Sequence, residues 1–323
     1  MPPNKLRILI SESDGFSSRA VRLLEQVGEI VSADLDRSGL LSAVEEADVL
    51  WVRLRHRIDA EVMTAARNLK VMVTATTGLN HIDLEEAQRR HIQVLSLRDE
   101  VEFLKDIRAT AEHTLGLMLA LLRHVPAAMA HVQDGGWDRD LFKGSELHGK
   151  TVGIVGYGRL GRIVARYLKA FDMYILASDP HIETRALEPG VTLVPLAQLL
   201  READLVTLHV NLCEETHGFF GREQFAAMKK GAWFINTSRG ELVDENALLD
   251  ALRARRLAGA ALDVLCDEDS NGMPDHSLVA YSRTYDNLII TPHSGGCTAE
   301  SMEKTECFLA DRLLTLLKHE AAI

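Results

Sequence analysis

The chain has 323 residues, a formal net charge of -11, 46% hydrophobic residues and 26% charged residues. Its length predicts two compact domains, and its hydrophobic content is typical of globular proteins. The acidic balance argues against general binding to a nucleic-acid backbone, which requires a basic face, and the most apolar run, Leu115 to Leu122, is too short to cross a bilayer.

Short β-branched segments alternate with helical patterns from one end of the chain to the other. This order is typical of an α/β protein whose parallel sheet is covered by helices on both faces. In the first third, the predicted strands are Arg7–Ser11, Glu29–Ala33, Val49–Arg53, Val71–Ala75 and Gln93–Leu95. Amphipathic helices such as Ser18–Gln26 and Glu61–Asn68 lie between them, so this part predicts one small α/β unit.

A long helical stretch, Ile107 to Arg123, comes next and is polar at its start and apolar on all sides afterwards. A helix of that kind must be buried, so we expect it between domains or between subunits. A second α/β series follows, with strands predicted at Thr151–Val155, Tyr174–Ala177, Leu205–His209, Trp233–Thr237, Ala260–Val264 and Leu288–Thr291. The final helix, Ala299 to about His319, has no strand after it and could pack on either unit.

A glycine-rich segment, "KTVGIVGYGRLGRIVARYL", connects the first strand of the second series to a helix. Gly156, Gly158 and Gly161 have the G-x-G-x-x-G spacing, with Arg159 and Leu160 between the last two glycines. The first glycine makes a tight turn, the second lets the backbone approach a pyrophosphate, and the third lets helix and strand pack closely. The free N–H groups at the helix start would then bind the anion.

An acidic residue completes the dinucleotide-binding pattern. Asp179 follows the last glycine at the end of the next strand, where a carboxylate accepts hydrogen bonds from an adenosine ribose. Because a carboxylate there repels a 2′-phosphate, NAD is favoured over NADP, although the nearby His181 and Arg185 leave NADP as an alternative. Packing alone also produces glycine-rich turns, so a structural role is the competing interpretation.

Polar residues follow three other strands of the same unit: Arg239, Glu268 and His293. Ligands of doubly wound sheets bind beyond the carboxyl ends of the strands, so these side chains can converge. Arg239 would bind a carboxylate and polarise the adjoining carbonyl, because its planar fork suits that task better than a lysine. His293 would exchange a proton with the carbonyl oxygen during hydride transfer, and Glu268 would favour the protonated ring and orient it.

Each of the three also has a structural interpretation. Arg239 could be a solvated turn residue or the partner of a structural anion. Glu268 belongs to the acidic run Asp267–Asp269, which is typical of a solvated loop. His293 could be a loop histidine whose hydrogen bonds are satisfied within the protein.

At these residues the chain resembles the D-isomer-specific 2-hydroxyacid dehydrogenase family, and its phosphoglycerate dehydrogenase-like members in particular. The similarity extends over nearly the whole chain, through "TGLNHIDLEEA", "ATAEHTLGLMLALLR", "LHGKTVGIVGYGRLG", "FINTSRGELVDENALLDAL", "GAALDV" and "IITPHSGG". The family pattern places its arginine at Arg239, its glutamate at Glu268 and its histidine at His293. It implies an oxidoreductase that uses NAD to interconvert a 2-oxo acid and a D-2-hydroxy acid.

The resemblance also implies an arrangement of domains. A Rossmann NAD-binding domain, 105–294, would be inserted into a flavodoxin-like substrate domain, 1–104 with 295–323, each a doubly wound parallel sheet. Homodimers would form through the cofactor domain. Backbone N–H groups of the loop with Gly78 and Leu79 would bind the substrate carboxylate, and the residues implied to line the cofactor site are Thr114, Val210, Thr237, Ser238 and Asp263.

A basic segment, "VRLRHRID", stands out at the end of a predicted strand, where Arg53, Arg55 and Arg57 alternate with other residues and His56 lies among them. The family pattern turns Arg53 towards the cleft between domains. We therefore hypothesise that Arg53, alone or with one neighbour, binds a second anionic or hydroxylated part of the substrate, such as a phosphate or a sugar acid. The alternative is a basic loop that pairs with the acidic surface of the protein. Neighbouring side chains in a strand point to opposite faces, so the arginines need not share one ligand.

Two functions fit this pattern. One is the dehydrogenase, for which glyoxylate, hydroxypyruvate, phosphorylated three-carbon acids and longer sugar acids would all present the same groups to Arg239. The other is an NAD(H)-sensing binding protein of the corepressor type, which shares the fold and needs no turnover. The three candidate catalytic positions favour the enzyme, with a small-molecule acid as its partner.

The number and spacing of the cysteines indicate whether the chain has disulfides or a metal site, and in which compartment it lies. Cys213, Cys266, Cys297 and Cys307 have neither the paired spacing of a zinc site nor the density of a disulfide scaffold. Reduced thiols in a cytoplasmic protein without a metal site are therefore expected. The first five residues also lack the apolar run of a signal peptide.

Overall fold

The computed structural model describes residues 5–268 and 273–320. The chain divides into two compact units, one made of Met1–Ile107 with Cys297–Ile323 and the other of Arg108–Gly296. The family resemblance places the joints at 104/105 and 294/295 instead. The first unit is therefore built from both ends of the chain and the second from its middle.

The first unit contains a five-stranded parallel sheet. Its strands are β1 (Leu6–Ile10), β2 (Gly28–Ser32), β3 (Val49–Val52), β4 (Val71–Thr74) and β5 (Gln93–Ser96). The strand order β2-β1-β3-β4-β5 is that of flavodoxin-like folds. β3 and β4 are buried along their whole length, since both faces of a parallel sheet are covered, and this explains their uninterrupted apolar sequences.

Short helices follow the strands of this sheet, and polar side chains cap most of their starts. The helices are α1 (Ser18–Leu24), α2 (Arg37–Ala43), α3 (Ala60–Ala65), α4 (Leu84–Arg89) and α5 (Val101–Leu104), with a 3₁₀ turn at Val44–Glu46. Ser17, Asp36, Asp59 and Asp83 each accept a backbone N–H of the first turn of α1 to α4. A cap of this type contributes about 1 kcal/mol, so these polar residues determine where the helices begin.

The second unit contains a seven-stranded parallel sheet. Its strands are β6 (Thr151–Val155), β7 (Tyr174–Ser178), β8 (Val191–Leu193), β9 (Leu205–Leu208), β10 (Ala232–Asn236), β11 (Leu257–Leu262) and β12 (Leu288–Ile290). The order β12-β11-β10-β9-β6-β7-β8 reverses direction between β6 and β9, as in Rossmann folds. The prediction of two doubly wound α/β domains is confirmed, while β8 is an edge strand that the sequence pattern did not predict.

Seven α-helices are described in this unit: α6 (Ala109–Leu122), α7 (Val125–Gln133), α8 (Arg159–Lys169), α9 (Leu196–Glu202), α10 (Arg222–Ala227), α11 (Glu245–Arg253) and α12 (Ser277–Ser282). The 3₁₀ turns are Arg139–Phe142, Thr184–Ala186, Glu214–Thr216, Gly240–Leu242 and Met273–Asp275. The prediction of a helix buried between domains or subunits holds only in part, since seven of the 14 residues of α6 are buried. Leu117 and Met118 share an apolar cluster with Ile154 and Ile235 of the sheet. The buried face of α6 therefore packs inside the second unit.

The last helix, α13 (Ala299–Glu320), belongs to the first unit. Leu309, Ala310 and Leu313 share a buried cluster with Ile8 of β1 and Ala20 of α1. The sequence left open which unit this helix would join. The structure resolves this, because the apolar face of α13 completes the core of the first sheet.

Candidate active site

The predicted site residues of the second unit follow strands that end at one edge of its sheet. The glycine loop follows β6, Arg239 follows β10, Asp263 follows β11 and His293 follows β12. Every pairing in this sheet is parallel, so the segments leave the sheet at the same edge. The fold therefore gathers groups that lie far apart in the sequence.

The glycine loop has the geometry that a dinucleotide pyrophosphate requires. Gly156 has φ +90°, and a Cβ atom there would lie 2.4 Å from the carbonyl oxygen of His209. At Gly161 a Cβ would lie 2.2 Å from the carbonyl oxygen of Gly156. At Gly158, the N-cap of α8, a Cβ would meet no described atom within 4 Å. Two glycines thus close the turn, and the third leaves the start of the helix open to an anion.

Asp179 follows β7, where its carboxylate is tied to the glycine loop. Oδ2 accepts the backbone N–H of Tyr157 at 2.9 Å, and Oδ1 accepts that of His181 at 2.9 Å. A carboxylate has further lone pairs, which can accept hydroxyl groups of a ribose. Arg185 pairs with Glu183 at 2.6 Å, so its charge is partly compensated.

The hydroxyl residues assigned to the cofactor site bind one another and nearby carbonyl groups. Thr114 Oγ1 donates to the carbonyl of Thr110 at 2.7 Å and lies 2.8 Å from Thr237 Oγ1. Ser238 Oγ donates to the carbonyl of Leu208 at 2.8 Å. These bonds join α6 and the end of β9 to the segment that follows β10.

Three further residues of the predicted cofactor site lie at the start of α8 and after β9. Arg159 begins α8, and burial lowers the pKa of its guanidinium. Leu160 and Val210 each pack against an apolar cluster of the unit. Their apolar contacts hold the start of α8 and the loop after β9 against the unit.

Arg239 is held by an asparagine at the end of the preceding strand. Asn236 donates Nδ2–H to the Arg239 carbonyl at 2.7 Å, and its Oδ1 accepts the N–H of Ser238 at 3.0 Å. The Arg239 guanidinium donates to the Ser238 carbonyl at 2.6 Å. Burial lowers the pKa of this guanidinium, and the negative charges of Glu268 and Glu241 act in the opposite direction. Arg239 is therefore a half-buried cation with Glu268 within electrostatic reach.

The residue after this arginine has no room for a side chain. A Cβ on Gly240 would lie 2.0 Å from the carbonyl carbon of Leu265 and 2.3 Å from the nitrogen of Cys266. The segment that leads to Glu268 therefore runs directly against the turn that carries Arg239. This close approach explains the glycine.

His293 and Glu268 form a short hydrogen-bonded pair. His293 Nδ1 lies 2.5 Å from Glu268 Oε1. His293 has φ +51°, and its N–H donates to the carbonyls of Asp263 at 2.8 Å and Thr291 at 3.0 Å. Its other ring nitrogen, Nε2, makes no hydrogen bond to the described part of the chain. The ring therefore has one nitrogen committed to Glu268 and one available to a ligand.

Asp263 is a buried carboxylate that organises the turn around His293. Its Oδ1 accepts the Thr291 hydroxyl at 2.5 Å and the N–H of Ser294 at 3.0 Å, and its Oδ2 accepts the N–H of Gly295 at 2.8 Å. A buried carboxylate requires such donors. Asp263 therefore binds the side chain of Thr291 before His293 and the backbone of Ser294 and Gly295 after it.

Sequence reasoning missed three residues that support these groups: Asn236, His113 and Thr291. His113 Nε2 lies 3.1 Å from Asp263 Oδ1 and 3.0 Å from Thr291 Oγ1. Each missed residue is polar and lies next to, or two positions from, a residue that was assigned. That proximity was the available signal.

The predicted substrate residues of the first unit, Arg53, Gly78 and Leu79, lie in the loops after β3 and β4. The Arg53 guanidinium donates to Glu306 at 2.7 Å, and the Glu306 side chain is 1% exposed. The Thr76 hydroxyl donates to the Gly78 carbonyl at 2.7 Å, and Leu79 is buried. The charge of Arg53 is thus matched by a buried carboxylate of α13, and a second anion at Arg53 stays a prediction.

The neighbours of Arg53 contact groups of the same unit. Arg55 pairs with Asp34 at 2.7 Å. His56 Nε2 lies 3.0 Å from the carbonyl of Leu35. These contacts agree with the alternative, a basic loop that binds nearby carboxylate and carbonyl groups.

Neither a metal site nor a membrane-spanning helix is found in the described part of the chain. Among residues 5–268 and 273–320, no group of histidine, cysteine and acidic side chains is arranged to hold a metal ion. The four cysteines, all in this described part, are free thiols. Within the same ranges, a single helix long and apolar enough to cross a membrane is not found.

Comparison with known families and sequences identifies related proteins. Residues 115–295 match the family described as D-isomer specific 2-hydroxyacid dehydrogenase, NAD binding domain. The D-3-phosphoglycerate dehydrogenase of Methanocaldococcus jannaschii is 39% identical over 320 residues, which are 98% of this chain and 58% of that protein. The protein of the same name from Mycobacterium bovis is 38% identical over 286 residues, 88% of this chain and 52% of that protein. The chain therefore spans a little more than half the length of these relatives.

Solved structures share the fold over nearly the whole chain. The TT0316 protein of Thermus thermophilus has a TM-score of 0.83 and 36% identity, with 97% of both chains covered. The D-lactate dehydrogenase of Aquifex aeolicus, complexed with NAD and lactic acid, has a TM-score of 0.83 and 26% identity, with 98% of this chain and 96% of that chain covered.

Proposed function

The chain belongs to the D-isomer specific 2-hydroxyacid dehydrogenase family, and we propose that it is an NAD-dependent oxidoreductase that interconverts a small 2-oxo acid and its D-2-hydroxy acid. One observation carries the proposal. His293 is bound to Glu268 through Nδ1, and among the described residues none engages its Nε2. This pair lies in the unit that holds the glycine loop, so an ionisable nitrogen and a dinucleotide site share one sheet edge.

The second unit fits a nicotinamide dinucleotide. Gly158 and the start of α8 would hold the pyrophosphate, and Asp179 would accept the hydroxyl groups of the adenosine ribose. When bound, the cofactor supplies or accepts a hydride. Since a carboxylate at position 179 repels a 2′-phosphate, NAD is proposed over NADP.

His293 holds and moves the proton. In the reducing direction, protonated Nε2 donates to the carbonyl oxygen of the 2-oxo acid as negative charge develops there. In the oxidising direction, neutral Nε2 takes the proton from the substrate hydroxyl. The Glu268 carboxylate stabilises the protonated ring, and its bond to Nδ1 leaves Nε2 as the reacting nitrogen.

Arg239 binds the substrate carboxylate. Its guanidinium offers a planar pair of N–H donors that matches a carboxylate, and partial burial strengthens the attraction because the local dielectric is lower than in water. The same cation polarises the adjoining carbonyl. Glu268 lies within electrostatic reach, so the positive charge of Arg239 and the negative charge of Glu268 stabilise each other.

The first unit would supply further substrate contacts. Backbone N–H groups of Gly78 and Leu79 would bind the carboxylate, and Arg53 would contact a second polar group. The relatives are named for 3-phosphoglycerate and one structural neighbour for lactate, so a phosphorylated and an unphosphorylated acid are the two chemistries to compare. An Arg53→Ala variant that keeps the wild-type KM for the true substrate would remove Arg53 from the site.

The proposal is tested by the loss of NADH absorbance with glyoxylate, pyruvate, hydroxypyruvate, a phosphorylated hydroxypyruvate and sugar-derived 2-oxo acids. We expect turnover with at least one acid, and loss of turnover with retained NADH binding in His293→Gln. Tight NADH binding without oxidation across the panel would instead support a dinucleotide sensor. The side chain of His293 is the feature that favours the enzyme, since a sensor has no need for an ionisable nitrogen at that edge.

A second copy of this chain is the proposed protein partner. None of the nine residues of α7, all within the described part, is buried in the chain. Val125, Met129 and Val132 have the spacing of one helical face, and Trp137, just after the helix, is 91% exposed. An apolar face of this kind marks an interface. Light scattering should report a dimer that Met129→Glu dissociates, whereas Tyr174→Ser, which alters another exposed aromatic residue, should leave it intact.

A further inference from the structure

Glu245, the first residue of α11, lies outside the reacting groups but contacts the loop that carries one of them. Its Oε1 accepts the N–H of Cys266 at 2.8 Å, two residues before Glu268. Its Oε2 lies 3.0 Å from Nε2 of His276. Cys266 and His276 stand on opposite sides of Glu268 in the sequence, so one carboxylate joins both ends of the segment that carries Glu268.

In the hydrogen bond between His276 and Glu245, the histidine is the donor. His276 Nδ1 accepts the N–H of Leu278 at 3.3 Å and thereby caps the start of α12. A neutral imidazole that accepts at one nitrogen carries its proton on the other, so Nε2–H donates to Glu245. Both ring nitrogens of His276 are therefore engaged in holding structure.

Close packing also confines the start of the same segment. Leu265 and Cys266 run against Gly240, where a Cβ atom would lie 2.0 Å from the Leu265 carbonyl carbon. Burial raises the pKa of the Glu245 carboxyl, and the hydrogen bonds from the N–H of Cys266 and from His276 act in the opposite direction. A partly buried carboxylate is costly without hydrogen-bond donors, so the contacts with Cys266 and His276 stabilise the ionised form of Glu245.

We propose that Glu245 is a positioning residue for the reaction: by holding Cys266 and His276, it keeps the Glu268 carboxylate within hydrogen-bond distance of His293 Nδ1. The inference rests on the proposed function of Glu268 and His293. Glu245 itself contacts neither substrate nor cofactor in this scheme. A displacement of about 1 Å in a reacting group can cost about 100-fold in rate, so a modest loosening of the segment has a measurable effect.

The kinetic test compares Glu245→Gln with Glu223→Gln, which makes the same change at an exposed residue in the first turn of α10. We expect Glu245→Gln to lower kcat by up to about tenfold with an unchanged KM for NADH, and Glu223→Gln to behave as wild type. In a Glu268→Gln background, Glu245→Gln should cause less than about a twofold further loss, because the two residues act through one contact. Losses that multiply in the double variant would overturn the proposal.

A spectroscopic test does not depend on turnover. In protein labelled with ¹⁵N-histidine, the proton on His293 Nδ1 should resonate downfield because it is hydrogen-bonded to a carboxylate and shielded from exchange, and His293→Gln assigns the signal by removing it. The signal should persist in Glu223→Gln and disappear in Glu268→Gln and Glu245→Gln. An inactive wild type with this pattern would refute the proposed function and leave the positioning intact, whereas an active wild type whose signal survives Glu245→Gln would refute the positioning alone.

A second variant covers the case in which Glu245→Gln does not fold. His276→Asn removes the donor to Glu245 while keeping a residue type that caps a helix start well. We expect it to lower kcat and weaken the His293 signal in the same way, by a smaller factor. Wild-type kcat and signal in His276→Asn would contradict the proposed link between the two ends of the segment.

Discussion

The second unit holds two histidine–glutamate pairs that differ in what the second ring nitrogen does. In the pair of His293 and Glu268, the side chains are 22% and 25% exposed, and Nε2 has no hydrogen bond to the described residues. In the pair of His276 and Glu245, both side chains are 15% exposed, and Nδ1 caps α12. A hydrogen bond between a histidine and a carboxylate is therefore not by itself a sign of a reacting pair. The second nitrogen makes the difference, because only a ring with an open nitrogen can exchange a proton with a ligand.

The largest expected effect comes from removing the nitrogen that is open to a ligand. His293→Gln should lower kcat/KM by about 10²- to 10⁴-fold, the range for loss of a general acid or base. Calorimetric titration should show unchanged NADH affinity. His148→Gln, at an exposed histidine that lies 3.6 Å from Asp172, is the matched control and should leave both quantities unchanged. Equal losses in the two variants would show that the effect does not come from the open nitrogen of His293.

Gly240→Ala should disturb both pairs at once, because a Cβ there would lie 2.0 Å from the Leu265 carbonyl carbon. We expect the free energy of unfolding to fall by about 1–3 kcal/mol, and kcat/KM by roughly 100-fold. Urea denaturation measures the free energy of unfolding, and steady-state kinetics measure kcat/KM. Gly116→Ala is the control, since a Cβ there meets nothing within 4 Å among the described residues and alanine favours a helix. A fully active Gly240→Ala would show that the segment can move without harm.

Glu268→Gln keeps the shape of the proposed catalytic pair and removes its charge. We expect kcat/KM for reduction to fall about tenfold, because the protonated ring of His293 loses the carboxylate that stabilises it. Steady-state initial rates measure the loss. A wild-type kcat/KM in this variant would show that the charge of Glu268 is not needed.

The smallest effect concerns a histidine of the same unit that has no carboxylate in its hydrogen bonds. His209 lies after β9, its Nε2 is 3.1 Å from Thr207 Oγ1, and burial lowers the pKa of its ring from 6.5 to about 3. The unfolded chain gains a proton near pH 6.5 and the folded chain does not, so folding stability is lost as pH falls from about 6.5 towards 3.

His209→Gln should remove that loss without affecting turnover at neutral pH. Between pH 7 and pH 5, the free energy of unfolding should decrease by about 1–2 kcal/mol less in the variant than in the wild type. Urea midpoints at the two pH values measure this difference. An equal decrease in both proteins would show that the ring of His209 takes up its proton as readily in the folded state as in the unfolded state.

Much of the fold could be predicted because its signals are local. The apolar strand runs, the glycine spacing and the acidic N-caps each act within a few residues, and the six strands predicted in the second unit all exist. β8 was missed because three residues, Val191–Leu193, carry too little pattern to separate a strand from a loop. The unit that α13 joins was left open, because an apolar helix face does not specify which sheet it covers.

The site divides in the same way. Gly156, Gly158 and Asp179 were predicted from spacing, and Arg239 and His293 from their positions after strands, and their roles stay predictions. The supporting contacts could not be predicted, since His113 meets Asp263 and Glu245 meets Cys266 only after several strands have been arranged in a sheet. Arg53 illustrates the converse, because its alternating arginine pattern gave no hint of the buried Glu306 that binds it.

The sequence by itself determined the two doubly wound sheets, the dinucleotide loop and the set of residues able to bind an acid and exchange a proton, since each depends on chain-local geometry or on a residue's own chemistry. Tertiary structure alone decided which histidine keeps a nitrogen open and which carboxylate faces which ring. Those choices depend on hydrogen bonds of a few ångströms between residues distant in the chain. Such distances are set by how whole helices and strands pack together, which no short stretch of sequence specifies.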